Sequence, residues 1–127
     1  MAIDSVIDPD DEYQEGKTNK DMFLNVKAQL WWAMRDMCYN AWKARNGKDF
    51  DIDYIVSFDS EMIGMDVLNN AIAELSQPRR EYLSGKLRVE PKDKMKKRGV
   101  NSPNLADGII MFIKPKEHNP FTVYNPK

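Results

Sequence analysis

Apolar residues recur at three- and four-residue steps between positions 21 and 46. Phe23, Val26, Leu30, Met34, Met37 and Ala41 line up there as the core face of a long amphipathic helix. Trp31, Cys38 and Trp42 widen that face, and Gly47 is a natural stop. A second helix is predicted over 62–77, with Met65, Leu68, Ile72 and Leu75 on one side and Pro78 ending it. Residues 79–89 read as a hairpin: Tyr82 and Leu83, a turn at Ser84-Gly85, then the alternating Lys86-Leu87-Arg88-Val89. A third helix is predicted over 103–113. Ser102 is placed to cap it, Pro103 sits at its first position, and Leu105, Ala106 and residues 109–113 are apolar on nearly every side. Weak alternation over residues 2–7 predicts a short strand, 8–20 a loop, and 49–58 an extended piece or turn. The stretch 114–127, with Pro115, Pro120 and Pro126, lacks periodicity and is predicted to be irregular.

Charge changes the picture locally. The formal net charge of −1 gives no overall attraction to nucleic acid, so binding of that kind needs a patch. One patch exists: Lys86, Arg88, Lys92, Lys94, Lys96, Lys97 and Arg98 stand against only Glu90 and Asp93. A run of this kind is either a solvated surface or a set of phosphate contacts, which position a duplex without reading its sequence. Six acids between positions 4 and 15 read as a solvated acidic segment. A single cysteine, Cys38, excludes an internal disulfide and is read as a small core residue. With one histidine, His118, a histidine-rich metal site is excluded as well. No apolar run approaches the length of a membrane span, and neither a phosphate-binding loop nor a dinucleotide fingerprint is present.

Asp107 is the residue that does not fit its surroundings. It lies about one turn into an apolar helix, between Ala106 and Gly108, with Ile110 and Met111 on its own face. A lone carboxylate there is costly unless it is hydrogen-bonded, ion-paired or bound to a metal. Proximity to the helix N-terminus offers one explanation. A functional carboxylate is the other, since the small neighbours would let a backbone or ligand come close.

The run Ser102-Pro103-Asn104-Leu105-Ala106-Asp107 follows Ala73-Glu74-Leu75-Ser76-Gln77-Pro78 and, further upstream, Asn25-Val26-Lys27-Ala28-Gln29-Leu30-Trp31-Trp32-Ala33-Met34-Arg35. In this order and spacing the three blocks resemble the C-terminal part of the large terminase subunits of tailed phages and prophages. The resemblance implies an α/β fold: the C-terminal part of an RNase H-like nuclease domain, helices packed on an incomplete mixed sheet, over residues 1–113. It implies descent from an endonuclease that cuts concatemeric viral DNA during genome packaging, and that carries a separate ATPase motor. It also implies Mg²⁺ or Mn²⁺ in a two-metal site, where two hard cations about 4 Å apart activate water and stabilise the leaving oxygen. Asp107 matches the family's last acidic ligand, so it is the expected catalytic and metal-binding residue. Double-stranded phage DNA, the portal and the small terminase subunit are the implied partners, in the host bacterial cytoplasm and with no membrane contact.

The chain departs from that pattern in one respect. The family's first acidic ligands lie on early strands that have no counterpart here, and Asp4, Asp59, Glu61 and Asp66 match no family motif. The chain is therefore expected to be a piece of the nuclease domain, beginning at an internal or secondary Met and inactive alone. An open sheet edge should leave it marginally stable or self-associated. The competing expectation is a non-catalytic module or prophage remnant that binds DNA or a packaging component through residues 86–98.

Overall fold

Residues 5–115 are described in the computed structural model of the chain. The first element among the described residues is a small antiparallel hairpin, β1 (Glu12–Gln14) and β2 (Lys17–Thr18), turning at Gly16. Gly16 has φ of +81°, a conformation in which glycine alone has no steric penalty. Thr18 then caps the short α1 (Asn19–Met22): its side chain accepts from the Asp21 N–H while the Asp21 carboxylate accepts from the Thr18 N–H. The loop expected over 8–20 is thus corrected to a hairpin and a capped turn. These elements are too short for any periodicity to register, and their signals are the glycine and the Thr-x-x-Asp box.

Of the strand expected over 2–7, residues 2–4 lie outside the described residues, and 5–7 form no strand. Side chains replace the sheet partner. Gln29 Oε1 accepts from the Ile7 N–H at 2.7 Å and Gln29 Nε2 donates to the Ile7 carbonyl at 2.9 Å, while Asn19 Nδ2 donates to Asp8 O at 2.8 Å. Gln29 and Asn19 are both buried, and these bonds are what makes their burial tolerable.

The long helix begins later than its apolar pattern suggests. Phe23 is extended and forms a parallel bridge to Leu87, with the Leu24 N–H donating to Leu87 O at 2.8 Å. Asn25 then caps α2 (Val26–Arg45), accepting from the Ala28 N–H at 2.9 Å. Gly47, with φ of +69°, follows the C-terminus as expected. The buried stripe of α2 is Ala28, Gln29, Ala33, Met34 and Asn40. Cys38 and Trp42, expected in the core, are exposed, Trp42 by 49%. Trp42 instead stacks on Tyr39 at 5.8 Å, with Lys43 over Tyr39 and Lys48 over Trp42, so cations cover aromatic faces that no core element reaches.

Residues 46–59 contain no helix or strand, and buried Asn40 tethers them by donating to Tyr54 O at 2.8 Å. The helix expected over 62–77 is two: α3 (Ser60–Ile63), capped by Asp59, and α4 (Met65–Ser76), separated by Gly64 at φ of +89°. Of its predicted core face, Leu68 and Leu75 are half-buried but Met65 and Ile72 are exposed. Ala71 is the residue that meets the interior. The predicted second hairpin is present as β3 (Arg80–Leu83) and β4 (Lys86–Val89), antiparallel, with Tyr82 opposite Leu87. It leads into α5 (Lys92–Lys97) and α6 (Asn104–Ile110).

The architecture is mixed α/β, with helices around two small antiparallel hairpins; parallel pairing among the described residues is confined to the Phe23–Leu87 bridge beside β4. Phe23, Ala28 and Leu87 form the core cluster, with Tyr13, Trp32 and Val89 packed on it. Tyr13 ties this cluster to α2: its hydroxyl donates to Asp36 at 2.5 Å and accepts from the Trp32 indole at 2.9 Å. Of the expected irregular stretch 114–127, Lys114 and Pro115 belong to no helix or strand and the rest lies outside the described residues. No helix among the described residues is long and apolar enough to cross a membrane.

Glu90, 3% exposed, closes the hairpin onto α5. Its carboxylate receives two bonds from the Arg98 guanidinium, at 2.6 and 2.8 Å, and one from the Arg79 N–H. Chiefly through Arg98, and against the upward push of burial, these donors hold its pKa at about 2 rather than 4.5. The folded form has the lower value, so this contribution is complete above pH 4.5 and is lost as pH falls toward 2. Thermal melts of the 127-residue chain between pH 6 and 2 should therefore show an acid limb that Glu90→Gln flattens. A mutant limb as steep as the parent's would assign acid unfolding to other carboxylates.

Candidate functional site

Helix α6 spans seven residues and cannot hold itself together by local bonding. Its start is organised from outside. Ser102, the expected cap, donates its hydroxyl to Asn104 Oδ1 at 2.9 Å and caps nothing, and Pro103 occupies the cap position fully buried. The bond that Ser102 was expected to accept is taken by Glu74 of α4, whose Oε1 accepts from the Ala106 N–H at 3.1 Å across 32 residues of chain. The two helices are in contact and each buries a small residue: Ala106 is completely buried and Ala71 of α4 nearly so. Helix α6 also touches α2. The blocks at 73–78 and 102–107, separate in sequence, thus meet through Glu74, and α6 also touches the helix on which the block at 25–35 lies.

Asp107 stands one residue beyond that cap, with its side chain 25% exposed and Lys92 Nζ at 2.9 Å from Oδ2. The helix is not apolar all round as expected. Ala106 and Ile110 face inward, whereas Met111 and Phe112 beyond its end are 80% and 89% exposed. A seven-residue helix lying on α4 and α2 can cover only one of its faces. The burial that made Asp107 anomalous is partial, and Lys92 compensates what remains.

The basic segment is largely neutralised within the chain. Arg98 pairs with Glu90, Arg88 with Glu81 at 2.8 Å, Lys94 with Glu81 at 3.3 Å, and Lys92 with Asp107. Burial pushes Glu81 up, but the bonds from Arg88 and Lys94 outweigh it and leave its pKa lowered. Lys86 is half-buried on β4. Lys96 and Lys97, on α5, are exposed and belong to no salt bridge among the described residues.

No group of three His, Cys, Asp or Glu side chains among the described residues is placed to hold a metal ion. Asp59 caps α3, Glu61 and Asp66 are exposed, and Asp4 lies outside the described residues. Asp107 is one carboxylate already facing an ammonium group, so the described residues do not by themselves fit a two-metal site. The residues most responsible for the geometry, Glu74, Gln29 and Glu90, were not singled out from sequence. Glu74 lies within a motif block, but nothing local indicates that it reaches a backbone N–H 32 residues away.

No protein-family model matches the chain, and no curated protein matches it. Solved structures do. The chain is similar to the nuclease domain of the large terminase subunit of bacterial virus Sf6, at 37% identity and a TM-score of 0.82, covering 91% of this chain and 51% of that one. A lysine-to-alanine mutant of the same domain with manganese and β-thujaplicinol gives 36% identity and a TM-score of 0.82, over the same shares of the two chains. A further mutant form with calcium gives 38% identity and a TM-score of 0.78, covering 86% of this chain and 48% of that one. The chain thus spans about half the length of the solved domains that it matches.

The cap geometry separates three substitutions in thermal melts. Glu74→Ala leaves the Ala106 N–H without its acceptor and should cost about 1–2 kcal/mol, a fall of several degrees. Ser102→Ala should be silent. Lys92→Ala, which removes a half-exposed pair, should cost less than about 1 kcal/mol. Equal losses for Glu74→Ala and Ser102→Ala would refute the assignment of the cap.

Proposed function

Because the chain belongs to the nuclease-domain family of tailed-phage large terminase subunits, we propose that it is a portion of a DNA-packaging endonuclease. In this reading it supplies one carboxylate of the cutting site and part of the DNA-facing surface. The observation that carries the reading is the convergence on α6. Two of the blocks resembling the family are joined there by Glu74, which sets the helix that presents Asp107, and the helix carrying the third block touches the same element. The overlap with solved terminase nuclease domains supports it independently, over 91% of this chain at a TM-score of 0.82.

In this proposal the complete domain is RNase H-like, with further strands completing a mixed sheet. The site takes Mg²⁺ or Mn²⁺, a choice supported by the manganese and calcium forms of the similar domain. The described residues do not complete such a site, and in this reading the remaining ligands come from the portion of the solved domains that this chain does not span. Within this chain, Lys92 holds the Asp107 carboxylate in place and balances its charge. Lys96 and Lys97 meet phosphates, whereas Arg88, Lys94 and Arg98 brace the hairpin and α5. Double-stranded DNA is the proposed substrate, with the portal and small subunit as partners of the whole machine in the host cytoplasm. A non-catalytic DNA-binding module is the second reading, favoured by the Lys92–Asp107 pair and by the lack of an acidic cluster among the described residues.

Two measurements test these roles. In a complete domain containing this chain, Asp107→Asn should reduce Mn²⁺-dependent nicking of plasmid DNA to background and leave the melting temperature unchanged or slightly raised. A well-folded variant that still cuts would remove Asp107 from catalysis. For the lysines, DNA affinity should fall steeply with salt, and replacing Lys96 and Lys97 by Gln should lower the log–log slope by about 2, roughly 1 per phosphate contact. Lys94→Gln should change it little, because Lys94 is already engaged by Glu81.

A further inference from the structure

A groove of about 480 Å³ opens between α2, α4 and the β3–β4 hairpin. Trp31, Phe58, Ile72, Leu75 and Val89 form most of its floor. Three features of this groove are unusual for a finished surface. The Trp31 indole N–H is buried and has no acceptor, the kind of orphaned donor that costs about 1–3 kcal/mol. Ile72, on the apolar face of α4, is 52% exposed. The charged groups that line the groove are Arg35, Arg79, Arg80 and Arg88, with no carboxylate among them. Arg35 and Arg88 are paired with Asp36 and Glu81, whereas the guanidinium groups of Arg79 and Arg80 belong to no salt bridge among the described residues. An apolar floor, an unused N–H and a cationic rim define a complement: an apolar polypeptide segment that brings a hydrogen-bond acceptor and carboxylates.

We infer that this groove seats the complementary portion of the nuclease domain, on whichever chain that portion is carried. The inference rests on reading this chain as part of such a domain. The solved domains share its fold over 91% of its length yet contain about as many residues again, and those residues must pack on elements that the two have in common. A second copy of this chain is the poorer occupant, because two identical grooves facing each other would bring like-charged rims together. A nucleic acid strand is poorer still, since the floor is apolar.

The test joins the part of the Sf6 nuclease domain that this chain does not span to the N-terminus of the 127-residue chain, and compares the chimera with the chain alone. Ile72→Asp, and separately Arg80→Gln, should cost little in the chain alone, where Ile72 is half in solvent and exposed Arg80 loses only its contact to the Trp32 ring. In the chimera each should lower the melting temperature by several degrees. In ¹⁵N-indole spectra the Trp31 signal should move downfield in the chimera as its N–H gains an acceptor, while that of exposed Trp42 stays in place. Adding the Sf6 portion as a separate polypeptide should move the same signal saturably. Equal effects of the variants in both contexts, a Trp31 signal unmoved by both fusion and titration, or one that shifts with concentration in the chain alone would each overturn the inference, the last by making a second copy the occupant. Failure here is distinguishable from failure of the nuclease reading. A chimera with a covered groove that still cuts as Asp107→Asn loses only the catalytic assignment. One that needs Asp107 for cutting but tolerates Ile72→Asp loses only the groove.

Discussion

The bond from the Ala106 N–H to Glu74 is the contact on which the site depends. A seven-residue helix has no independent stability, so its orientation is whatever its neighbours impose. Here the neighbour imposes it twice. Small buried residues, Ala71 on α4 and Ala106 on α6, suit a close approach of the two helices, and the Glu74 carboxylate engages the first turn of α6. Asp107 inherits its position from that arrangement and its charge balance from Lys92. A carboxylate at a helix N-terminus also interacts favourably with the helix dipole, so Glu74 serves both as hydrogen-bond acceptor and as compensating charge.

The same economy runs through the basic segment. A sequence with seven cations in thirteen residues looks like a surface made for polyanions, yet folding turns four of them toward carboxylates of this chain. Glu81 and Glu90, on and just beyond the β3–β4 hairpin, act as its internal counterions. Glu90 does so in near-complete burial, where losing either partner would strand the other charge. What remains outside these pairs is Lys86 on β4 and Lys96 and Lys97 on α5. Charge density along a chain and charge available in space are different quantities, and hairpin pairing converts one into the other.

Among the described residues, large apolar side chains are divided between the interior and the surface. The core cluster is Phe23, Ala28 and Leu87, while Met65, Ile72, Met111 and Phe112 remain on the surface. Where a finished domain would bury such residues against a sheet, this chain has two separate hairpins and side-chain substitutes for strand pairing, Gln29 above all. That pattern agrees with a chain spanning about half of the domains that it matches, and with an orphaned indole N–H on Trp31, a residue that lines an apolar groove.

Local chemistry was enough to read the body of α2, α4 with its stop at Pro78, the β3–β4 hairpin with its Ser-Gly turn, and the helix carrying Asp107. Each depends on the spacing of neighbours within a few residues, and so does the motif order that pointed to a terminase nuclease. The breaks were less legible. Phe23 leaves the helical pattern because Leu87 offers it a backbone partner from a strand more than sixty residues away. Gly64 splits α3 from α4 where the apolar period runs on unbroken. Which apolar residues are covered was not legible either, since Trp42 and Ala33 carry similar periodic signals and only the packing of α2 on β4 and α6 chooses between them. Tertiary structure alone decided the partners: Glu74 rather than Ser102 for the start of α6, Lys92 for Asp107, and Arg98 for Glu90. Pairings of that kind are set by distances across the fold, and no spacing along the chain encodes them.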